Sequence, residues 1–194
     1  RCRASDRLWA FRSGATIGLA NKECLVCAGE LMMQEVRSHG ATLIPVDSEH
    51  NAIFQLFDSE HPDRIETVTL TASGGPFRTL TPEQMRQATP DQAVRHPNWT
   101  MGAKISVDSA TLMNKGLELS EAFHLFPLKE EQLRVLIHPQ SVIHCLVQMV
   151  DGSVLAQMSL PDMCTPIAYA MAWPQRISAP VEKLDLAAIG KLEF

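Results

Sequence analysis

The chain has 194 residues, of which 45% are hydrophobic and 20% are charged, and its formal net charge at pH 7 is −5. These values are typical of a soluble globular protein and argue against a disordered chain, and the length suits one domain with part of a neighbour. The acidic balance argues against nucleic-acid binding, and no apolar stretch reaches the roughly 18 residues that a membrane span needs.

The first part of the chain has the pattern of a parallel crossover unit. Residues 15–20 can form a short buried strand, Asn21 is a helix-capping residue, and the helix that follows stops at Gly40 before a second strand at 41–46. Polar residues come directly after both strands. Because active sites in such sheets gather beyond the carboxyl ends of the strands, we expect functional residues there.

The rest of the chain alternates loop-rich and regular segments. After a helix through Phe57, an alternating strand is predicted at 65–72. A stretch rich in Gly, Pro and polar residues runs from 73 to 102, with one short helix that starts at Pro82. The pattern then predicts a helix from about Asp108 to Phe126, two strands that flank Asp151-Gly152, and a helix near 165–173 that ends before Pro174. The predicted class is mixed α/β with an antiparallel portion.

Two carboxylates suggest a metal site. Asp47 and Glu49 stand two positions apart after a strand, and in extended backbone both would point the same way, as a hard cation such as Mg²⁺ or Mn²⁺ requires. On that motif alone, a capping Asp followed by a solvated Glu is the preferred alternative. Asn114 and Glu118 share a helix face and offer further oxygen ligands, although Lys115 and Glu118 can also form an exposed ion pair.

A second group of residues suggests an anion site. Ser73-Gly74-Gly75-Pro76 follows a strand, where glycines let backbone N–H groups approach an anion, although the motif alone is more often a plain turn. Ser106, Ser109, Asn114 and Lys115 cluster around the predicted long helix. Together these groups supply enough donors and one cation to hold a phosphate.

The loop from His96 to Gly102 contains Trp99 and Met101, which either plug the core or form a lid over a ligand, and we favour the lid. His138 and His144 alternate with aliphatic residues, and we expect hydrogen-bonded histidines rather than metal ligands.

The cysteines are predicted to serve packing. Cys24 and Cys27 form a C-x-x-C pair that nothing else in the sequence completes into a redox or zinc site. Cys145 and Cys164 are expected to be small buried hydrophobes.

Seven motifs in order resemble the 1-deoxy-D-xylulose 5-phosphate reductoisomerase family, over about residues 13–194. They are Leu19-Ala20-Asn21-Lys22-Glu23, Pro45-Val46-Asp47-Ser48-Glu49-His50, Ser73-Gly74-Gly75-Pro76-Phe77-Arg78, His96-Pro97-Asn98-Trp99, Lys104-Ile105-Ser106-Val107-Asp108-Ser109-Ala110-Thr111, Met113-Asn114-Lys115-Gly116-Leu117-Glu118 and Ile137-His138-Pro139-Gln140-Ser141-Val142-Ile143-His144. The resemblance implies an α/β fold in which the end of a parallel dinucleotide-binding sheet is followed by a mixed α+β catalytic domain with an antiparallel hairpin. Residues 1–46 would be the remnant of the NADPH-binding domain, and 47–194 the catalytic, metal-binding and dimerisation domain.

The resemblance also implies a function. The family converts 1-deoxy-D-xylulose 5-phosphate, a phosphorylated sugar, to 2-C-methyl-D-erythritol 4-phosphate in the non-mevalonate isoprenoid pathway, with NADPH and Mg²⁺, Mn²⁺ or Co²⁺. A cytoplasmic bacterial homodimer is expected, or a plastid protein, with neither nucleic-acid nor membrane partners. The chain starts without Met and lacks the family's Gly-rich fingerprint and helical carboxyl-terminal domain, so we expect an internal fragment that is inactive alone.

Residue roles carry over from the family by position. Asp47, Glu49 and Glu118 match the metal ligands, and Lys22, Glu49 and His96 match catalytic groups. The substrate-binding positions are Lys22, Ser48, Glu49, Ser73, His96, Ser109, Asn114, Lys115 and Glu118. The positions that touch NADPH are Asn21, Glu23 and Gly102, and the flap positions are Trp99 and Met101.

Two other interpretations fit the same residues. A metal-dependent phosphosugar aldolase or isomerase would use the metal and phosphate sites without a redox step. A folded but inactive dimerisation and substrate-binding module would need neither NADPH nor turnover.

Overall fold

The computed structural model describes residues 9–97, 99 and 101–194. Residues 1–8 of the predicted NADPH-domain remnant, and Asn98 and Thr100 of the predicted flap loop, lie outside this range. The strands are β1 (Thr16–Leu19), β2 (Thr42–Pro45), β3 (Ile65–Ala72), β4 (Leu133–Ile137), β5 (Ile143–Met149) and β6 (Val154–Met158). The helices named below are α1 (Glu23–Ser38), α2 (Ser48–Leu56), α3 (Pro82–Met85), α4 (Pro90–Ala93), α5 (Ala103–Ala110), α6 (Met113–Leu125), α7 (Cys164–Ala172) and α8 (Leu186–Ile189).

Two sheets organise the described residues. β1 and β2 pair in parallel from Thr16 opposite Thr42 to Leu19 opposite Pro45, and α1 connects them, which confirms the predicted crossover unit. The second sheet has the order β4-β3-β5-β6, in which β4 runs parallel to β3 and the other pairs are antiparallel. The predicted fold class, a parallel sheet followed by a mixed α+β part with a hairpin, is therefore confirmed.

Two hydrophobic clusters hold these layers together, and the candidate site lies between them. One cluster packs α2 and α6 against the four-stranded sheet through residues such as Ile53, Ala122 and Val147. The other packs α1 against β1 and β2. Leu125, at the end of α6, packs against both clusters, so α6 is fixed relative to both sheets. No helix in the described part of the chain is long and apolar enough to cross a membrane.

The predicted single helix from Asp108 to Phe126 is wrong. The chain forms α5 and α6 instead, separated at Leu112, whose φ of 60° is left-handed. The hydroxyl of Thr111 donates to the carbonyl oxygens of Val107 and Asp108, in the last turn of α5, where the helix ends. The break gives α6 its own direction, and α6 carries three of the predicted site residues.

Smaller differences have local causes. The cap position of α1 is Lys22 rather than Asn21, because the side chain of Asn21 accepts a hydrogen bond from the thiol of Cys24. The loop after β3 contains a second short helix, α4, which begins with a capping box at Thr89. Before the predicted hairpin the chain forms a further strand, β4, which the sequence pattern did not predict. By contrast, β3 has the predicted bounds.

Candidate active site

Three predicted metal ligands converge where the start of α2 faces the middle of α6. Asp47 occupies the cap position of α2, Glu49 lies in its first turn, and Glu118 lies in the middle of α6. One carboxylate oxygen from each residue lies within 4.8 Å of the others. The sequence pattern predicted this convergence from an extended backbone, which would point Asp47 and Glu49 the same way. The prediction of an extended backbone is wrong, because α2 begins at Ser48 and Glu49 lies in its first turn. The capping alternative is also wrong, because the Asp47 side chain caps no N–H group and points into the cluster.

Two buried lysines pair with these three carboxylates. The ammonium group of Lys22 contacts Asp47 and lies 3.0 Å from Glu118 Oε1, and that of Lys115 lies 2.9 Å from Glu49 Oε1 and contacts Glu118 Oε2. Only 6% of the Lys22 side chain and 7% of the Lys115 side chain is exposed. Burial lowers the pKa of both lysines, but the facing carboxylates outweigh it, so the pKa of each is raised above its usual value. Both lysines therefore stay charged.

The carboxylates respond differently to the same surroundings. Burial, with the charge of Glu49, raises the pKa of Glu118 above its usual value. Burial also acts to raise the pKa of Asp47, but the charge of Lys22 outweighs it and holds that pKa well below its usual range. When ionised, the three carboxylates carry one negative charge more than the two lysines balance. Three oxygen donors with this excess negative charge fit a hard dication such as Mg²⁺.

Of the residues predicted to hold a phosphate, Ser73, Ser109, Asn114 and Lys115 line the same cavity, of about 370 Å³, as the carboxylates. Ser106 does not, because its buried hydroxyl donates to the carbonyl oxygen of Gly102. Gly75, with φ of 68°, lets the turn after β3 approach α5 closely, because a Cβ there would lie 2.5 Å from the carbonyl oxygen of Ser109. Ser109 and Asn114 line the cavity beside Ser73. Lys115 also lines the cavity as predicted, but its ammonium group donates to the carboxylates of Glu49 and Glu118.

His96 and Ser73 form a hydrogen-bonded pair with defined proton positions. The backbone N–H of Trp99 donates to His96 Nδ1, so the neutral ring carries its proton on Nε2 and donates to Ser73 Oγ at 2.8 Å. The N–H of Gly75 also donates to Ser73 Oγ, at 3.1 Å. Burial, with the charge of Arg78, lowers the pKa of His96, which favours this neutral ring. The Ser73 hydroxyl can thus direct its own proton to an anion.

The predicted flap residues lie over this cavity. Trp99 and Met101 belong to its lining, and Trp99 is half-buried with its ring centroid 6.4 Å from that of His144. His144 Nε2 lies 3.0 Å from Ser159 Oγ, and His138 Nδ1 lies 2.7 Å from the carbonyl oxygen of Glu193. The prediction that both histidines are hydrogen-bonded and buried is confirmed.

The predicted NADPH residues are only partly brought together. Glu23 and Gly102 line the cavity, and a Cβ at Gly102 would meet open space. Asn21 is exposed at the start of α1, outside the cavity lining. A hydrogen bond from Lys104, which also pairs with Asp108, lowers the pKa of Glu23.

The remaining polar predictions have mixed outcomes. Ser48 lines the cavity, and its hydroxyl donates to Glu49 Oε2 at 2.6 Å. Cys145 is buried as predicted, but Cys27 on α1 and Cys164 at the start of α7 are exposed, so the prediction of a packing role is wrong for both.

Sequence reasoning missed a buried charged pair behind the carboxylates, His50 and Glu121. Burial raises the pKa of Glu121. Burial also lowers the pKa of His50, but Asp47 and Glu121 outweigh it, so the net pKa of the ring is raised. A signal was present, because Glu121 lies one helical turn after Glu118 and so shares its face.

Family models and relatives of one enzyme family match this chain. A family model described as the 1-deoxy-D-xylulose 5-phosphate reductoisomerase C-terminal domain matches residues 43–126, and one described as the DXP reductoisomerase C-terminal domain matches 158–194. The reductoisomerase of Rhodospirillum centenum is 64% identical over 187 residues, which cover 96% of this chain and 46% of the relative. That of Zymomonas mobilis is 57% identical over 187 residues, covering 96% and 48%.

Solved structures agree with the sequence comparison. A reductoisomerase in complex with NADPH, fosmidomycin and magnesium superposes with a TM-score of 0.93 at 52% identity, over 97% of this chain and 49% of that one. The Zymomonas mobilis enzyme in complex with NADPH gives 0.91 at 54% identity, over 97% and 48%. The chain thus spans about half the length of the relatives that it matches.

Proposed function

Because the chain belongs to the 1-deoxy-D-xylulose 5-phosphate reductoisomerase family, we propose that it forms the metal- and substrate-binding part of an enzyme with that activity. The reaction would convert 1-deoxy-D-xylulose 5-phosphate to 2-C-methyl-D-erythritol 4-phosphate with NADPH and a divalent cation. The observation that carries the proposal is the convergence of Asp47, Glu49 and Glu118 in a cavity that phosphate-type donors also line. The aldolase or isomerase alternative has no support from the matched proteins, which are named reductoisomerases.

The three carboxylates would hold the cation. Bound there, a divalent cation would polarise the substrate carbonyl as a Lewis acid. Lys22 and Glu49 lie directly beside this position, so Lys22 can stabilise negative charge on the substrate oxygens while Glu49 and Ser48 orient its hydroxyl groups. Lys115 bridges Glu49 and Glu118 and would hold these carboxylates in position until a ligand anion competes for its ammonium group.

The phosphate would be held by other groups of the same cavity. Ser73 and Ser109 supply hydroxyl donors, and the Asn114 amide and Lys115 ammonium group, which donate to Glu118, would also turn to the phosphate. His96 holds Ser73 through the Nε2–H···Oγ bond and so fixes the direction in which the serine hydroxyl donates. This remote anchor would orient the reacting end of the sugar over the carboxylates.

The cofactor and the flap would close the site from two sides. NADPH supplies the hydride for the reductive step. Glu23 and Gly102 would contact it from the cavity rim, with Asn21 beside them at the start of α1. Trp99 and Met101 would cover the substrate and exclude water, because both already line the cavity from a loop.

The experiment that tests the proposal measures NADPH oxidation with 1-deoxy-D-xylulose 5-phosphate and Mg²⁺, using the natural protein that contains this chain. We expect turnover in the unmodified protein and a loss of at least about 100-fold in kcat for Glu49→Gln, because the amide removes an anionic ligand. The matched control is Glu30→Gln, an exposed position on α1 away from the cavity. Equal rates for both variants, or no NADPH oxidation by the unmodified protein, would refute the proposal.

Four further parts of the proposal have separate tests. The 194-residue chain alone should not oxidise NADPH, and turnover by it would contradict this. A homodimer is proposed because the edge strand β6 exposes Val154 and Leu155, and Leu155→Asp should shift sedimentation toward the monomer. The domain boundary at 46/47 would appear as the site of cleavage in limited proteolysis, and the cytoplasmic location as the fraction that holds the protein after cell disruption.

A further inference from the structure

Behind the carboxylate cluster, a fully buried His50–Glu121 pair joins α2 to α6. The side chains of both residues are 0% exposed. His50 Nε2 lies 2.8 Å from the backbone carbonyl oxygen of Glu118, although the two residues are 68 positions apart in the sequence. His50 Nδ1 lies 3.3 Å from Glu121 Oε2 and 3.6 Å from Asp47 Oδ1. One imidazole ring therefore contacts two predicted metal ligands that come from different helices.

The partners of the ring decide where its protons lie. A backbone carbonyl only accepts, so His50 Nε2 must donate to Glu118. Nδ1 faces the carboxyl groups of Asp47 and Glu121 at 3.6 and 3.3 Å, and among the described residues neither Nδ1 nor the Glu121 oxygens has a hydrogen bond of good geometry. The ring is thus oriented by Glu121 on one side and by the α6 backbone on the other.

We propose that Glu121 is a positioning residue, which holds His50 so that Asp47 and Glu118 keep the arrangement that binds a divalent cation. This inference rests on the proposed metal site. Glu121 does not reach the cavity, so it acts through His50 rather than on the substrate. Groups that orient metal ligands from behind commonly change metal affinity about 10- to 100-fold when they are replaced.

The pair also has a purely structural interpretation, in which it only holds α2 against α6. That role predicts a loss of stability and no change in the metal affinity of the folded protein. A second interpretation is that Asp47, His50 and Glu121 bind an ion themselves, since their ligand atoms also lie within 4.8 Å of one another. That interpretation predicts two bound ions per chain.

The experiment titrates the protein with Mn²⁺ and measures free Mn²⁺ by electron paramagnetic resonance, at a temperature where each variant is folded by circular dichroism. For Glu121→Ala we expect the Kd for Mn²⁺ to rise about 10- to 100-fold, with one ion per chain in the unmodified protein. Glu121→Gln should keep the Kd within about threefold, because its amide oxygen can occupy the position of Glu121 Oε2 beside His50 Nδ1. In the active natural protein, the Mn²⁺ concentration for half-maximal rate should rise while kcat at saturating Mn²⁺ changes less.

The matched control is Glu35→Ala, which breaks ion pairs with Arg12 and His39 at the protein surface and should leave the Mn²⁺ affinity unchanged. If Glu121→Ala does not fold, the double variant His50→Phe/Glu121→Leu leaves no unpaired buried charge and should still bind Mn²⁺ at least about tenfold more weakly. An unchanged Kd in either folded variant, a Gln variant as weak as Ala, or two ions per chain would overturn the inference. No Mn²⁺ binding by the unmodified protein would instead overturn the proposed metal site.

Discussion

Replacing Lys115 with methionine tests whether its buried ammonium group holds the carboxylate cluster together. Methionine keeps most of the aliphatic packing but leaves Glu49 and Glu118 facing each other without a shared cation. Breaking a buried ion pair by removing one partner typically costs about 3–5 kcal/mol. In a chain of this length each kcal/mol shifts Tm by about 2–4 °C, so Lys115→Met should lower Tm by about 6–20 °C in the absence of a divalent cation.

The structure supplies a matched control for this change. Lys104 also bridges two carboxylates, those of Glu23 and Asp108, but 59% of its side chain is exposed, against 7% for Lys115. Exposed ion pairs contribute about 0–1 kcal/mol, so Lys104→Met should lower Tm by at most about 4 °C. The number of ion pairs is the same, and only the burial differs.

The assay is thermal unfolding followed by circular dichroism, with and without Mg²⁺. A cation bound by Asp47, Glu49 and Glu118 replaces the lost charge, so Mg²⁺ should raise the Tm of Lys115→Met more than that of the unmodified protein. If Lys115→Met and Lys104→Met lose the same stability, the buried cluster does not depend on Lys115. If Mg²⁺ leaves the gap between Lys115→Met and the unmodified protein unchanged, the three carboxylates do not share a cation.

Three other changes test the flap, the helix packing and the site histidine. Trp99→Ala should lower Tm by no more than about 3 °C while raising KM in the natural enzyme, whereas a loss of about 3–5 kcal/mol with unchanged KM would show that Trp99 is a core residue. Gly29→Ala should destabilise the protein by about 1–3 kcal/mol in urea unfolding, because the added Cβ would lie 2.3 Å from the His124 ring. Adding His124→Ala to this variant should restore stability. A gain in stability from Gly29→Ala alone would contradict the packing. Burial lowers the pKa of His144 in the folded state, so its contribution to stability is present above the unfolded value of about 6.5 and is lost as the pH falls. The reference is His144→Gln, which can still form a hydrogen bond with Ser159. The unfolding free energy of the unmodified protein minus that of His144→Gln should fall by up to about 1.4 kcal/mol per pH unit below about pH 6.5. A difference that does not change with pH would refute the assignment.

Much of the fold could be predicted because its signals are local. Alternation predicted the bounds of β3, and Asp151-Gly152 predicted the hairpin of β5 and β6, since both patterns depend on neighbouring residues alone. The apolar runs around α1 likewise predicted the parallel pair of β1 and β2. The resemblance to the reductoisomerase family also predicted which residues would line one cavity, with Asn21 as the exception.

Tertiary packing decided what those local signals leave open. The left-handed backbone at Leu112 divides a stretch of continuous helical periodicity, and leucine is not a residue type that predicts the end of a helix. The ammonium group of Lys115 could have faced solvent or a phosphate, and only the packing of α2 beside α6 places it between Glu49 and Glu118. The same packing brings His50 onto the backbone of Glu118, 68 positions away. The physical reason is that a side-chain pattern sets the face of an element, whereas the partner of a buried charge depends on which faces meet once the hydrophobic clusters have packed.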